Sequence, residues 1–289
     1  MGDAFVGSEA VAGGVITRAS LRWNHRAILP DIYVPNDVEP TLAVRTRGAW
    51  LWSGRRGVIT GRAAAALHGA RWVDDGAPVD VLWANNRCPP GVRTRRDCIA
   101  ADEITSIRGI PVASPARTAL DLGRYLPRGP AVAHLDALAA ATGVTAAEVL
   151  ALTARYHGRR GVRRCRAAVD VMDAGAQSPQ ETRVRLLLRD SGFPPLRTQV
   201  PVFDGRGRAF AHLDMGWEDV RIAVEYDGEQ HRTSNDQYRW DARRLRLVAD
   251  AGWLVVRVMA GDRNHEVIGW VRQAWARRER EAMAVKRLA

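Results

Sequence analysis

Three carboxylates crowd a short stretch in the last third of the chain. Asp214 lies in Ala211-His212-Leu213-Asp214-Met215-Gly216-Trp217, and Glu225 and Asp227 lie in Val220-Arg221-Ile222-Ala223-Val224-Glu225-Tyr226-Asp227-Gly228. Both stretches read as strands, in which successive side chains point to opposite faces. Val220, Ile222, Val224 and Tyr226 are therefore expected on one face, and Arg221, Ala223, Glu225 and Asp227 on the other. If Glu218-Asp219 joins the two strands as a hairpin, Asp214 sits opposite the acidic pair. Like charges so close repel, and a divalent cation would remove the conflict. Oxygen-only ligands suit Mg2+ or Mn2+, so the chemistry expected here is that of a hard metal ion.

Other residues gather around these acids in sequence. His231 follows the second strand and is a candidate for proton transfer. Glu181 can complete a metal site from the preceding helix, although with Ser178 it also has capping-box spacing, which explains it equally well. Asp227 before Gly228 is a good turn signal, but a turn does not explain Glu225. Gln199, on the first strand, is a candidate to approach the metal or a water, or else an edge-strand polar residue. Arg239, Arg243 and Arg246 recur at helical spacing and form one basic stripe, a phosphate clamp or a solvated face. Asp241 and Arg244, three apart, are expected to pair and orient the site.

The elements that position these groups have clear signals. Ser178-Pro179 opens a helix that ends near Ser191, before Gly192 and Pro194. Strands are expected at 200–203, 209–217 and 220–226, then a helix capped by Ser234 and running to Gly252, a strand at 253–259 and a helix at 267–280. Trp217 and Trp253 are expected to pack the sheet. The order is αβββαβα.

Composition fits a nucleic-acid partner. The chain has 289 residues, 46% of them hydrophobic, and a formal charge of +11. Its basic residues are arginines save for Lys286, and the planar arginine fork suits phosphate and guanine; biased codon usage is the plainer explanation. Cys88, Cys98 and Cys165 have neither zinc spacing nor an even count, so thiols are expected. No run of about 18 apolar residues is present, so no membrane is expected and a cytoplasmic location is the default.

The N-terminal region reads as short helices around a strand pair. A helix at 8–12, a Gly13-Gly14 turn and a helix at 17–23 capped by Thr17 have helix-turn-helix spacing. A wing-like hairpin at 25–35 follows, then helices at 42–52 and 60–68. Arg18, Arg22 and Arg26 are the candidate nucleic-acid contacts, against the alternative of a small helical subdomain with solvated arginines. The middle region offers strands at 79–83 and 99–113, a helix opened by Ser114-Pro115, and amphipathic helices at 132–141 and 145–156, the last with a Thr145/Glu148 capping box. An arginine cluster, Arg159 to Arg166, closes it.

Two resemblances follow from these motifs. Gly57-Val58-Ile59-Thr60-Gly61-Arg62 through Gly69, with Ala116-Arg117-Thr118-Ala119-Leu120-Asp121-Leu122, resembles AbiEi-type antitoxins over roughly the first 170 residues. The resemblance implies an N-terminal winged helix that binds promoter DNA and represses transcription, with Thr17, Arg18, Ser20, Leu21 and Arg22 on the reading helix; whether a cognate toxin exists is unknown from the sequence. No separate C-terminal antitoxin region is evident in it. The αβββαβ order with Leu213-Asp214, Ala223 to Gly228, His231, Asp241, Arg244, Gly252-Trp253 and Arg257 resembles the PD-(D/E)XK restriction-endonuclease-like superfamily, near very-short-patch-repair endonucleases. That resemblance makes Asp214 and Glu225 metal ligands. It also exposes a departure, because the superfamily's lysine is replaced by Asp227. Asp227, His231, Arg244 or the metal would have to compensate.

The expectation is thus an α+β protein in three regions. Residues 1–72 form a winged-helix-like DNA-binding region, 73–176 a mixed middle region and 177–289 a restriction-endonuclease-like domain. The expected function is DNA binding with metal-dependent phosphodiester hydrolysis. The competing expectation is a regulator that kept a nuclease fold and lost its activity. RNA cleavage and assembly into a homo-oligomer are left open.

Overall fold

A computed structural model describes residues 4–85, 87–228 and 235–288. His231 and Ser234 lie outside them, and the side chains of Arg239 and Asp241 are likewise not described. The chain is mixed α+β and divides into two compact units, Met1–Ala174 and Gly175–Ala289.

In the first unit, β1 (Phe5–Val6), α1 (Gly7–Ala12), α2 (Arg18–Asn24), β2 (His25–Leu29) and β3 (Ile32–Pro35) follow one another closely. Thr17 starts α2 by accepting a hydrogen bond from the Ser20 amide at 3.0 Å. The three strands form one small sheet in the order β1-β3-β2, with β2 and β3 as an antiparallel hairpin. After α3 (Leu42–Trp52), β4 (Val58–Thr60) leads into α4 (Gly61–Leu67), and β5 (Val79–Leu82), β6 (Val92–Arg95), β7 (Ile104–Ile107) and β8 (Ile110–Ala113) complete a second sheet, β6-β5-β4-β8-β7. Ala4, Ile32, Val34 and Leu42 share one buried cluster with Val79, Val81, Val92 and Val112. A division at residue 72 would cut through that cluster.

The span expected as one strand at 99–113 is a hairpin. Arg108 and Gly109 both take positive φ (51° and 75°), the backbone of a two-residue turn that matches strand twist. The strand β6 carried no signal in sequence, since Val92 is its sole buried residue and polar groups fill the rest of this edge strand. Four helices follow: α5 (Pro115–Tyr125), α6 (Arg128–Thr142), α7 (Ala146–Arg155) and α8 (Val162–Val169). Ser114 caps α5, and the Thr145/Glu148 capping box of α7 is formed. A Cβ on Gly123 would lie 2.7 Å from the Cys165 sulfur, so glycine there lets α5 and α8 approach.

The second unit runs α9 (Pro179–Asp190), β9 (Arg197–Phe203), β10 (Ala209–Trp217), β11 (Ile222–Asp227), α10 (Asn235–Asp250), β12 (Leu254–Met259) and α11 (Asn264–Leu288), the expected order. The sheet order is β12-β11-β10-β9, with β11 and β12 parallel and the other pairs antiparallel. Parallel neighbours need a long crossover, and α10 supplies it. Val184 and Leu188 of α9 and Val267 and Val271 of α11 pack with Met215, Trp217, Ile222 and Val224. Val248 of α10 packs with Val200, Leu213 and Ala223. Strand β11 starts two residues later than expected, because Arg221 turns the chain with φ 50°. Opposite that turn a Cβ on Gly216 would meet the Ile222 carbonyl oxygen at 2.5 Å, so the hairpin closes only around a glycine.

Candidate functional site

Strands β10 and β11 pair in the register Met215↔Val224, Gly216↔Ala223 and Trp217↔Ile222, which brings Asp214 level with the end of β11. There its Oδ2 accepts a hydrogen bond from the Tyr226 amide at 2.7 Å, in place of a ladder bond. Leu213 and Met215, on either side of it, belong to different buried clusters, so Asp214 stands where β10 passes from one core to the other. Glu225 is buried at 8% exposure. The Arg244 guanidinium reaches it from α10, with Nη2 2.6 Å from Glu225 Oε1 and 2.7 Å from the His212 carbonyl.

Glu181 comes from the first turn of α9 and is also buried. Its amide donates to Ser178 Oγ at 3.1 Å, and its Oε2 accepts from the Gln177 amide at 2.8 Å, so the carboxylate reaches one residue further back than a capping box requires. Gln177 also donates to Gln199 Oε1 at 3.0 Å, tying Gln199, at φ 49°, to this end of α9. Gln199 therefore supports the loop that holds Glu181. That is a connection its sequence position did not reveal.

Electrostatics join the three acids. Burial pushes the Asp214 carboxyl up to about 7, the Tyr226 amide and Arg244 pull it down, and the nearby Glu181 and Glu225 push it further up. Burial likewise raises Glu181 against its bonds to Gln177 and Ser178. Asp227, expected to share the cluster, is engaged by Arg257 of β12 at 2.5 Å. Arg257 is in register with Glu225 across the parallel pair, a neighbour that only the sheet order supplies. Arg244 pairs with Glu225, and the side chain of Asp241, its expected partner, lies outside the described residues. Arg243 and Arg246 are exposed on α10.

The donor set is right for a hard cation. Among the described residues, however, no three His, Cys, Asp or Glu side chains converge on a metal-binding arrangement. The reason is visible in the bonds: one oxygen each of Asp214, Glu225 and Glu181 is turned to Tyr226, Arg244 and Gln177. Metal entry at these acids would need their side chains to turn.

The first unit contains a different charged centre, which sequence reading did not single out. Arg117, fully buried on α5, donates to Asp121 at 3.0 Å, to Glu103 at 2.8 Å, to Tyr156 at 2.9 Å and to the Cys98 carbonyl at 2.8 Å. Thr60, at the N-cap position of α4, makes no side-chain cap bond and donates through its hydroxyl to Asp121 at 2.7 Å. Arg124 joins Asp97, and Arg155 joins Glu103 at 2.7 Å. Burial works against charge on Arg117, but Asp121, Glu103 and Tyr156 outweigh it and raise its pKa. The spacing 117, 121, 124 is a one-face helical pattern, and that was the available signal. From the arginine cluster after α7, Arg164 and Arg166 bond the Arg124 carbonyl and Thr153.

On the N-terminal surface, α2 has no buried residue. Arg18 and Arg22 are exposed there, whereas Arg26 on β2 bonds the Val38 carbonyl at 2.6 Å and lies 3.8 Å from Glu39. No single helix among the described residues is long and apolar enough to cross a membrane.

The model of the AbiEi antitoxin C-terminal domain matches residues 57–173. This corrects the expectation that such a region is missing, since it spans β4 to α8 and carries the Arg117 network. Two curated proteins of Mycobacterium tuberculosis, from two strains and each named only as an uncharacterized protein, are similar to the chain. Both are 27% identical over 228 residues, covering 79% of this chain and 83% of their own length. No solved structure matches. The stretch at 57–173 is thus similar to the AbiEi antitoxin C-terminal domain.

Proposed function

We propose that the protein is an antitoxin-type DNA-binding protein whose second unit hydrolyses phosphodiester bonds with a divalent metal. One observation carries the second half of this reading: Glu181 and Glu225, from two other elements, lie near enough to Asp214 to push its carboxyl, already raised by burial, further up, to about 7. The αβββαβα order around them is that of the restriction-endonuclease-like proteins the sequence resembles. The AbiEi-type domain supports DNA binding and a cognate toxin as partner.

Asp214, Glu225 and Glu181 would hold Mg2+ or Mn2+. The ion would supply a Lewis acid and lower the pKa of a bound water. Asp214 is anchored by the Tyr226 amide, which fixes one oxygen and leaves the carboxylate directed by the strand. Arg244 orients Glu225 and offsets negative charge at the place where the superfamily's lysine is absent. His231 and Asp227 are the further candidates to assist proton transfer.

The test is incubation of the full-length protein with plasmid, single-stranded and branched DNA and with RNA, in magnesium or manganese. Cleavage is expected to fall at least about 100-fold in Asp214→Asn and in Glu225→Gln. Cleavage that survives both substitutions removes the assignment. A second reading, a regulator without catalysis, is favoured by the guanidiniums of Arg244 and Arg257 already on Glu225 and Asp227. It predicts promoter binding in chelator and no calorimetric metal site sensitive to Glu225→Gln.

A further inference from the structure

We infer that Trp23 is the side chain with which the first unit reads base edges of duplex DNA, an inference that rests on the DNA-binding half of the reading above. Trp23 is 72% exposed, an unusual placement for the largest apolar side chain. Its direction follows from the helix. A Cβ on Gly7 would lie 3.1 Å from Leu21 Cδ2, so Leu21 is the α2 residue turned toward α1. At about 100° per residue, a position two further along faces the opposite way. Trp23 therefore points outward.

Its backbone is held firmly. Asn36 donates through Nδ2 to the Trp23 carbonyl at 2.9 Å, and its amide donates to the Asn24 carbonyl at 3.0 Å, which clamps the end of α2 to the end of the β2–β3 hairpin. The Arg22 guanidinium lies 5.6 Å from the Trp23 ring centroid. Between Glu9 and Asp31 the chain carries Arg18, Arg22, His25 and Arg26 and not one acid. Val15, 78% exposed, adds a second apolar group in the turn before α2. Charge of one sign selects a polyanion, and an apolar ring within that field has no use for phosphate. It suits the thymine methyl and the apolar base edges of a groove.

The test uses the full-length chain in chelator, with labelled short duplexes selected from a random pool and their scrambled counterparts. Trp23→Ala is expected to lower discrimination between the two by about 10-fold or more, and Trp23→Phe by no more than about 3-fold. The salt dependence of binding should be unchanged in Trp23→Ala and flatter in Arg22→Ala, which removes a phosphate contact. Undiminished discrimination in Trp23→Ala overturns the inference while leaving DNA binding intact. So does self-association lost in Trp23→Ala with DNA affinity unchanged, which would make the ring a protein contact. Failure of the unaltered chain to bind any duplex instead brings down the DNA-binding reading itself.

Discussion

The first unit buries a charge-balanced centre, and the second gathers acids from three elements, α9, β10 and β11. Arg117, Arg124 and Arg155 face Asp97, Glu103 and Asp121, with Tyr156 and Thr60 completing the bonds. Around β10 and β11, the four acids Glu181, Asp214, Glu225 and Asp227 meet the guanidiniums of Arg244 and Arg257. Burial raises the Asp121 carboxyl in the first centre against the pull of its arginines, and in the second centre burial, with Glu181 and Glu225 adding to it, raises Asp214 up to about 7. Both lie among buried groups. Their neighbours differ, because Asp121 faces Arg117 and Arg124, whereas Asp214 has two carboxylates, Glu181 and Glu225, beside Arg244.

The largest effect that tests this contrast is expected from Arg117→Met. It strands Asp121 and Glu103 without their cation and should cost the first unit about 3–5 kcal/mol, read from amide exchange across α5. A loss below about 1 kcal/mol would mean that the network is not structural.

The opposite sign is expected in the second unit. Asp214 has a folded pKa raised from 3.8 to about 7, so the folded state holds its proton more tightly than the unfolded chain, and stability falls as pH rises through that window. Asp214→Asn keeps an acceptor for the Tyr226 amide and removes the titration. Without divalent ions it should stabilise the second unit at pH 8 by about 1–3 kcal/mol, below the ceiling of about 4 that the shift implies, because the group is partly exposed. The gain should vanish near pH 4, and a gain independent of pH would refute the electrostatic account.

A smaller effect compares two helix starts. Ser178→Ala at α9 should cost about 1 kcal/mol, as Thr145→Ala should at α7, but the first should also loosen Glu181. The check is whether the metal affinity of the protein changes in Ser178→Ala and not in Thr145→Ala.

Much of the second unit was readable because its signals are local. The Ser178-Pro179 start, the Gly192 stop and the alternation through Glu225 each depend on residues a few positions apart. The proximity of Asp214 and Glu225 followed from the hairpin. What failed were partners far along the chain: Arg244 with Glu225, Arg257 with Asp227, and Thr60 with Asp121, separated by 19, 30 and 61 residues. Pattern reasoning placed Thr60 at the start of its nearest helix, and packing turned its hydroxyl to Asp121 instead. The edge strand β6 was invisible because it buries little, and the hairpin at Arg108-Gly109 because arginine is a poor signal for positive φ.

By itself the sequence determined the element order of the second unit, the capped starts of α2, α5, α7 and α9, and the meeting of two acids on adjoining strands. These depend on the 3.6 and 2.0 periods and on cap chemistry, which act over one or two turns of chain. The tertiary structure alone decided which charges are matched. Sheet order set Arg257 beside the acids, the crossover helix delivered Arg244, and the bundle of α5 to α8 sealed Arg117 among three carboxylates. Coulomb energy depends on distance and burial, and both are fixed only when the chain has folded.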